Sequence, residues 1–240
     1  LYMVGFIGGF LVPTTLDGPA STPLAEAVVI DGLLVLMFGL QHSVMARQGF
    51  KHWLTRWVPQ PAERSVYVLA SNAALLLLFW QWRPLGGEIW HIENPNIVPL
   101  LWGLHAFGWL TVLTTTFLIN HFDLFGLRQV WLHFRGRPYT QLPFVMPGPY
   151  RVVRHPLYVG WLMVFWATPW MTAAHLLFAL GMTVYILIAI VFEERDLIRA
   201  HQGYADYRRR VPMLIPRITG TAELSEAAET RRPRDQRIAS

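Results

Sequence analysis

Apolar runs about twenty residues long alternate along this chain with short polar, mostly basic segments. Leu24–Met45 is apolar but for Glu26, Asp31, Gln41 and His42. Ser65–Trp82 contains Asn72, Val98–Ile119 contains His105, and Thr172–Phe192 is the last full run. A helix rises about 1.5 Å per residue, so each run is long enough to cross a hydrocarbon core of about 30 Å. Leu157–Trp170 is shorter and aromatic. Begun at Pro156, it predicts a fifteen-residue helix of about 22 Å. The opening LYMVGFIGGFLV reads as the end of a first membrane helix whose beginning is missing. The predicted fold is therefore all-α: a polytopic membrane bundle of about five to six transmembrane helices, the first truncated, with a C-terminal cytoplasmic cofactor-binding segment. Residues 1–217 read as one membrane-embedded domain. Residues 218–240 are polar, mix acidic with basic groups and carry few large apolar side chains, which predicts a disordered tail.

Charge adds an orientation. Only 15% of the 240 residues are charged, against about 25% in an ordinary soluble domain. Arg47, Lys51, Arg56 and Arg64 share the connection after the second run. Arg128, Arg135, Arg137, Arg151 and Arg154 share the one after Val98–Ile119. Arg195, Arg199, Arg208, Arg209, Arg210 and Arg217 follow the last run. The intervening loops hold only Arg83. Basic loops stay cytoplasmic, so these segments and the C-terminus are expected on the cytoplasmic side of an inner membrane. This alternation accounts for the net charge of +5 without nucleic acid. There is no Cys, which excludes a thiolate metal site or thiol nucleophile from this chain. No H-E-x-x-H spacing, P-loop, G-x-S-x-G or G-x-G-x-x-G occurs, and no metal is expected.

Two polar clusters bracket the last apolar hairpin. The first is PYRVVRHPLYVGW. Arg151, Arg154 and His155 precede Pro156, and proline suits the first turn of a helix because its missing N–H has no partner there anyway. A helix start carries free N–H groups and partial positive charge, so with two arginines beside it this is a seat for a carboxylate. The same residues, with Tyr158 and Trp161, also describe a plain interfacial belt. The second cluster, VFEERDLIRAHQGYADYRRRVPMLIPR, begins with Glu193, Glu194 and Asp196 at the membrane edge, where carboxylates are costly unless paired or useful. Adjacent helical residues point about 100° apart, so Glu193 and Glu194 cannot serve one partner. Tyr207 and Arg208 are expected to fold back over the site, and Val211-Pro212-Met213 to form an extended return. Gln41-His42-Ser43 and Asn120-His121-Phe122-Asp123 end two other runs at the same face.

RHPLYVGW followed one hairpin later by EERDL, Tyr204, Tyr207 and RRRVPMLIPR resembles the isoprenylcysteine carboxyl methyltransferase-like superfamily of membrane methyltransferases. LQHSVMARQGFKHW, FLINHFDLFGLRQVWLHFRGRPY and ILIAIVFEERDLI resemble its nurim-related branch, the bacterial methanethiol S-methyltransferases. The resemblance covers about residues 1–217. It implies S-adenosyl-L-methionine as donor and a small thiol as acceptor, methanethiol becoming dimethyl sulfide. Carried onto this sequence, it assigns Arg151, Arg154, His155, Pro156, Tyr158, Gly160, Glu193, Glu194, Tyr207 and Arg208 to the cofactor. Asn120, His121, Asp123, Phe125 and Trp131 are the corresponding acceptor wall, with Phe122 beside them. His42, His121 and His155 all stand as acceptors of the thiol proton, alongside water. Two rival readings share these motifs: a methyltransferase of another lipophilic thiol or amine, and a non-enzymatic nurim-like membrane protein. The fifteen-residue length expected for the helix at Pro156 places the donor site several ångströms below the membrane surface, with the thiol arriving from the lipid side.

Overall fold

The computed structural model describes residues 1–140, 142, 147–201 and 203–217. The expected tail at 218–240 lies outside the described residues, as does part of the Asn120–Tyr150 connection. In chain order the elements are α1 (Tyr2–Gly8), α2 (Leu24–Met45), α3 (Gln48–Leu54), α4 (Glu63–Gln81), β1 (Glu88–His91), α5 (Ile97–Ile119), α6 (His121–Leu124), α7 (Leu127–Phe134), α8 (Pro156–Trp166), β2 (Trp170–Thr172), α9 (Ala173–Ala200) and α10 (Tyr204–Arg210). Helix satisfies every backbone group within its own segment, which lipid cannot do for it. Four helices are long and apolar enough to cross a membrane: α2, α4 with the turn before it, α5 and α9. The chain is thus an integral membrane helical bundle, with α8 a shorter apolar helix among the spans.

The core lies where α1, α2, α4, α8 and α9 meet. Phe6 packs against Phe79, Trp82 and Phe178, and Phe165 meets Phe178 edge-on. Leu34, Val35 and Phe38 of α2 join this cluster with Met182, Ile186 and Ile190 of α9. The opposite faces stay apolar and exposed, as with Leu36 and Leu40 on α2, Leu110 and Leu113 on α5, and Val184 and Ile188 on α9. Small residues allow close approach. A Cβ on Gly160 of α8 would lie 2.9 Å from the Gly108 oxygen of α5, and one on Gly108 would lie 2.8 Å from the Gly160 oxygen.

Two features depart from the sequence expectation. Helix α8 ends at Trp166 rather than Trp170, giving 11 residues and about 16 Å. Pro169 disfavours helix at the residue before it, and Ala167 already leaves the helix at φ −84°, ψ 75°. The freed segment becomes β2, which pairs antiparallel with β1 in an otherwise helical fold, Glu88 opposite Thr172 and His91 opposite Trp170. The strand pair is itself the second departure, whereas α9 runs through Glu193 and Glu194 to Ala200 without a break, as the helical placement of the two carboxylates expects.

The connections sort into two ends. At one end β1 joins β2, and Asp17 accepts a hydrogen bond from the Thr172 hydroxyl at 2.6 Å and faces His175 Nδ1 at 3.0 Å. At the other, Arg47 pairs with Asp196 at 3.1 Å, and Arg64 Nε donates to the Leu124 carbonyl at 2.8 Å. The loops that the charge pattern assigns to opposite sides thus fall at opposite ends of the bundle.

Candidate active site

The site is built where the start of α8 meets the last turns of α9. The buried side of α9 carries Phe178, Met182, Ile186, Ile190 and Glu194, spaced by four, so the stripe that faces the core higher up turns a carboxylate inward here. Two guanidinium groups and an imidazole close on it. Arg154 Nε donates to Oε1 at 2.7 Å, His155 Nε2 lies 3.1 Å from the same oxygen, and Arg208 Nε approaches Oε2 at 2.9 Å. The Arg154 and Glu194 side chains are 9% and 6% exposed. Both oxygens of Glu194 are engaged, which is the condition for keeping such a group buried.

Glu193 occupies a different position. Its Oε2 accepts from the Tyr158 hydroxyl at 2.9 Å and lies 4.0 Å from His155 Nδ1. The side chain is 44% exposed, and its Oε1 accepts no hydrogen bond among the described residues. The approximately 100° between adjacent helical residues separates an anchored carboxylate from an open one. Arg208, bound through Nε, is also half-exposed at 51%.

The segment after α10 straps across the cluster. Arg154 N donates to Pro212 O at 2.8 Å and His155 N to Met213 O at 3.2 Å. Arg154 Nη1 also donates to the Arg208 carbonyl at 3.0 Å and to the Val211 carbonyl. Pro212 can occupy such an extended edge because its missing N–H is not needed there. The Tyr207 hydroxyl donates to Tyr150 O at 2.6 Å. Burial raises the Tyr204 phenol well above its ordinary pKa, with Glu194 and Glu193 adding to the effect. Burial does the same to Tyr150, assisted by Glu193 and Tyr207, and to Tyr207, where Arg154 opposes it. All three stay neutral donors near pH 7.

Other sequence candidates fall into three places. His42 faces Tyr67 Oη at 2.7 Å and Ser71 Oγ at 3.1 Å, and its ring lies 6.2 Å from Tyr185. His42 thus sits among Tyr67, Ser71 and Tyr185, and no hydrogen bond or ion pair among the described residues joins it to Glu193. His121 sits apart, 3.0 Å from Thr116 Oγ1, stacked on Phe117 and tilted against Phe125. Asn120 caps α6 by accepting from Asp123 N, and Asp123 pairs with Arg128 at 2.9 Å. Phe122 and Trp131 are exposed. No hydrogen bond or ion pair among the described residues links this loop to Glu193 or Glu194. Arg151 is exposed with no ion pair among the described residues, and Gly160 lies in the α5–α8 seam. Among the described residues no group of three His, Asp or Glu has the arrangement of a metal site.

A family model described as phospholipid methyltransferase matches residues 104–203. A methanethiol S-methyltransferase of Mycobacterium tuberculosis is 55% identical over 216 residues, 90% of this chain and 88% of that protein. One from Crocosphaera subtropica is 55% identical over 217 residues, 90% and 85% of the two chains. This chain belongs to the methanethiol S-methyltransferase family. It is a membrane methyltransferase, as its family membership and apolar helices require. Bos taurus nurim is also similar, 33% identical over 177 residues, 69% of this chain and 66% of nurim. No solved structure matches.

Methyltransferases of this kind need a methyl donor, and the residues at the site suit one that carries both charges of an amino acid. Glu193 Oε1 accepts no hydrogen bond among the described residues, and Arg208, paired with Glu194 through Nε, is half-exposed. Tyr67, Ser71 and Tyr185, which surround His42, and Tyr150, whose carbonyl accepts from Tyr207, go unmarked in the sequence. The first three lie inside apolar runs and Tyr150 in a connection, so nothing in their local spacing distinguishes them.

Proposed function

We propose that this protein transfers a methyl group to methanethiol, forming dimethyl sulfide, at the cytoplasmic face of an inner membrane. The observation that carries the proposal is the Arg154–His155–Glu194–Arg208 cluster with Glu193 open beside it, in a chain of this family. S-adenosyl-L-methionine, when bound, supplies an electrophilic methyl on a sulfonium. Glu193 holds its ammonium or ribose hydroxyls, and Arg208 with the start of α8 holds its carboxylate. Glu194 fixes Arg154, His155 and Arg208 in place rather than touching the donor. Tyr158 and Tyr185 offer π faces at the cationic end.

The thiol is the nucleophile, and its reactive form is the thiolate. His42, flanked by Tyr67 and Ser71, takes the proton. The thiolate sulfur would then take the methyl in line as the methyl–sulfonium bond breaks and the donor leaves as a neutral thioether, the chain's main contribution being alignment. An apolar cleft of about 490 Å³ between α5 and α8, lined in part by Val159, Met163 and Leu214, supports entry of a small apolar thiol from the lipid side. It reaches Leu214, the residue after the strap. His155 is 5% exposed, which supports a recessed site.

Calorimetry with purified protein tests the reading, using S-adenosyl-L-methionine first and then an acceptor series. Donor binding with turnover of methanethiol, and slower turnover of ethanethiol, is the expected result. One methylene in an apolar pocket is worth about 1–3 kcal/mol. Preference for long-chain thiols or amines overturns the small-thiol assignment, and absence of donor binding overturns the enzyme reading.

A further inference from the structure

A second polar cleft opens at the same end of the bundle, outside the site described above. It has a volume of about 390 Å³ and is lined by Arg47, Gln48, Phe192, Arg195, Asp196 and Arg199. Three guanidinium groups face one carboxylate. Asp196 pairs with Arg47 at 3.1 Å and lies 3.9 Å from Arg199, which leaves a local excess of two positive charges. Phe192 forms an apolar floor, with the Arg47 and Arg195 guanidiniums 4.7 and 5.7 Å from its ring centre.

We propose that this cleft binds the phosphate of an anionic phospholipid. Arginine suits this chemistry because its planar fork matches phosphate oxygens. What distinguishes a lipid from a free anion is the surface that runs away from the cleft. Residues three and four apart share a helix face. On α9 that spacing joins Arg199 and Arg195 to Phe192, Ile188 and Val184, the last three exposed. On α2, which ends two residues before Arg47, it joins Val44, Leu40, Leu36 and Leu33, all exposed. Two apolar stripes therefore converge on one cationic cleft, an acyl-chain surface ending in a headgroup seat. Arg47 also interacts with Tyr185, so the seat adjoins the acceptor side of the methyltransferase site.

The test is native mass spectrometry of the full-length, detergent-solubilised protein. It is titrated separately with phosphatidylglycerol, phosphatidylcholine of the same chains, and inorganic phosphate. Phosphatidylglycerol is expected to bind one per protein in preference to phosphatidylcholine. Near a membrane surface each arginine contributes about fivefold, so Arg195→Gln with Arg199→Gln should weaken binding about thirtyfold. Arg135→Gln with Arg137→Gln, exposed in another basic loop, should change it less than twofold. Asp196→Asn removes the competing carboxylate and should strengthen binding several-fold, which keeps the proposal testable if the double variant misfolds. Equal binding of the two lipids, equal loss from both arginine pairs, or weaker binding by Asp196→Asn overturns the site. Occupancy by millimolar inorganic phosphate that displaces phosphatidylglycerol overturns its assignment to lipid.

Discussion

Replacing either carboxylate of the adjacent pair by its amide should weaken donor binding, but only one of the two replacements should destabilise the fold. Glu194 is 6% exposed and shared by Arg154, His155 and Arg208. Glu194→Gln keeps the shape but leaves Arg154, itself 9% exposed, without a counter-charge. Breaking a buried pair from one side costs about 3–5 kcal/mol, and the strap at Val211–Met213 depends on the position of Arg154. Thermal unfolding followed by tryptophan fluorescence should therefore shift down by several degrees, and donor affinity should fall with it. Glu193→Gln removes a charge from a side chain that is 44% exposed. Solvent already screens that position, so stability should change by less than about 0.5 kcal/mol. A hydrogen bond to a charged group contributes about 1.5–3 kcal/mol. Taking the lower end for a half-exposed group, donor affinity should fall about tenfold with the unfolding temperature unchanged. An unchanged unfolding temperature for Glu194→Gln, or unchanged donor affinity for Glu193→Gln, would refute the division of labour between them.

His42→Gln should lower kcat/KM by about a hundredfold, the small end of general-base effects, while calorimetric donor affinity stays at the wild-type value; a loss of donor affinity would place His42 in the donor site instead. Gly160→Val puts a Cβ 2.9 Å from the Gly108 oxygen and should destabilise the α5–α8 seam by about 1–3 kcal/mol, read as lower yield and a lower unfolding temperature. Asp17→Ala strips the buried His175 of its hydrogen-bond partner at 3.0 Å and should cost about 1–3 kcal/mol with donor affinity retained in the folded fraction. Reporter fusions at Asn94 and Ser240 should report opposite sides of the membrane; the same side for both would contradict the topology.

The spans were legible because each is a run of about twenty apolar residues and the basic loops alternate. Their facing was not. In a membrane helix both the core side and the lipid side are apolar, so periodicity does not separate Ile186 and Ile190 from Val184 and Ile188. That ambiguity hid which of Glu193 and Glu194 turns inward, although the four-residue step from Ile190 to Glu194 decides it once α9 is packed. The β1–β2 pairing was invisible because two segments of three or four residues meet across about eighty positions of chain, without alternation long enough to read. The strap was legible in outline, since Pro212 ends a helix and favours extended backbone. The gathering of Tyr67 and Tyr185 around His42 was not, because it depends on α2, α4 and α9 meeting at one level. Asn120, Asp123 and Trp131 were grouped with the acceptor from resemblance, whereas the structure ties Asp123 to Arg128 within its own loop.

Methyl transfer with purified protein tests the central claim most directly. Tritiated S-adenosyl-L-methionine and methanethiol are incubated with wild-type protein and with Glu193→Gln in parallel, and labelled dimethyl sulfide is collected from the headspace. The account predicts labelled dimethyl sulfide from the wild type, and a variant that needs about ten times more donor to reach half-maximal rate. Absence of labelled product from folded wild-type protein, or an unchanged donor requirement in the variant, would contradict it.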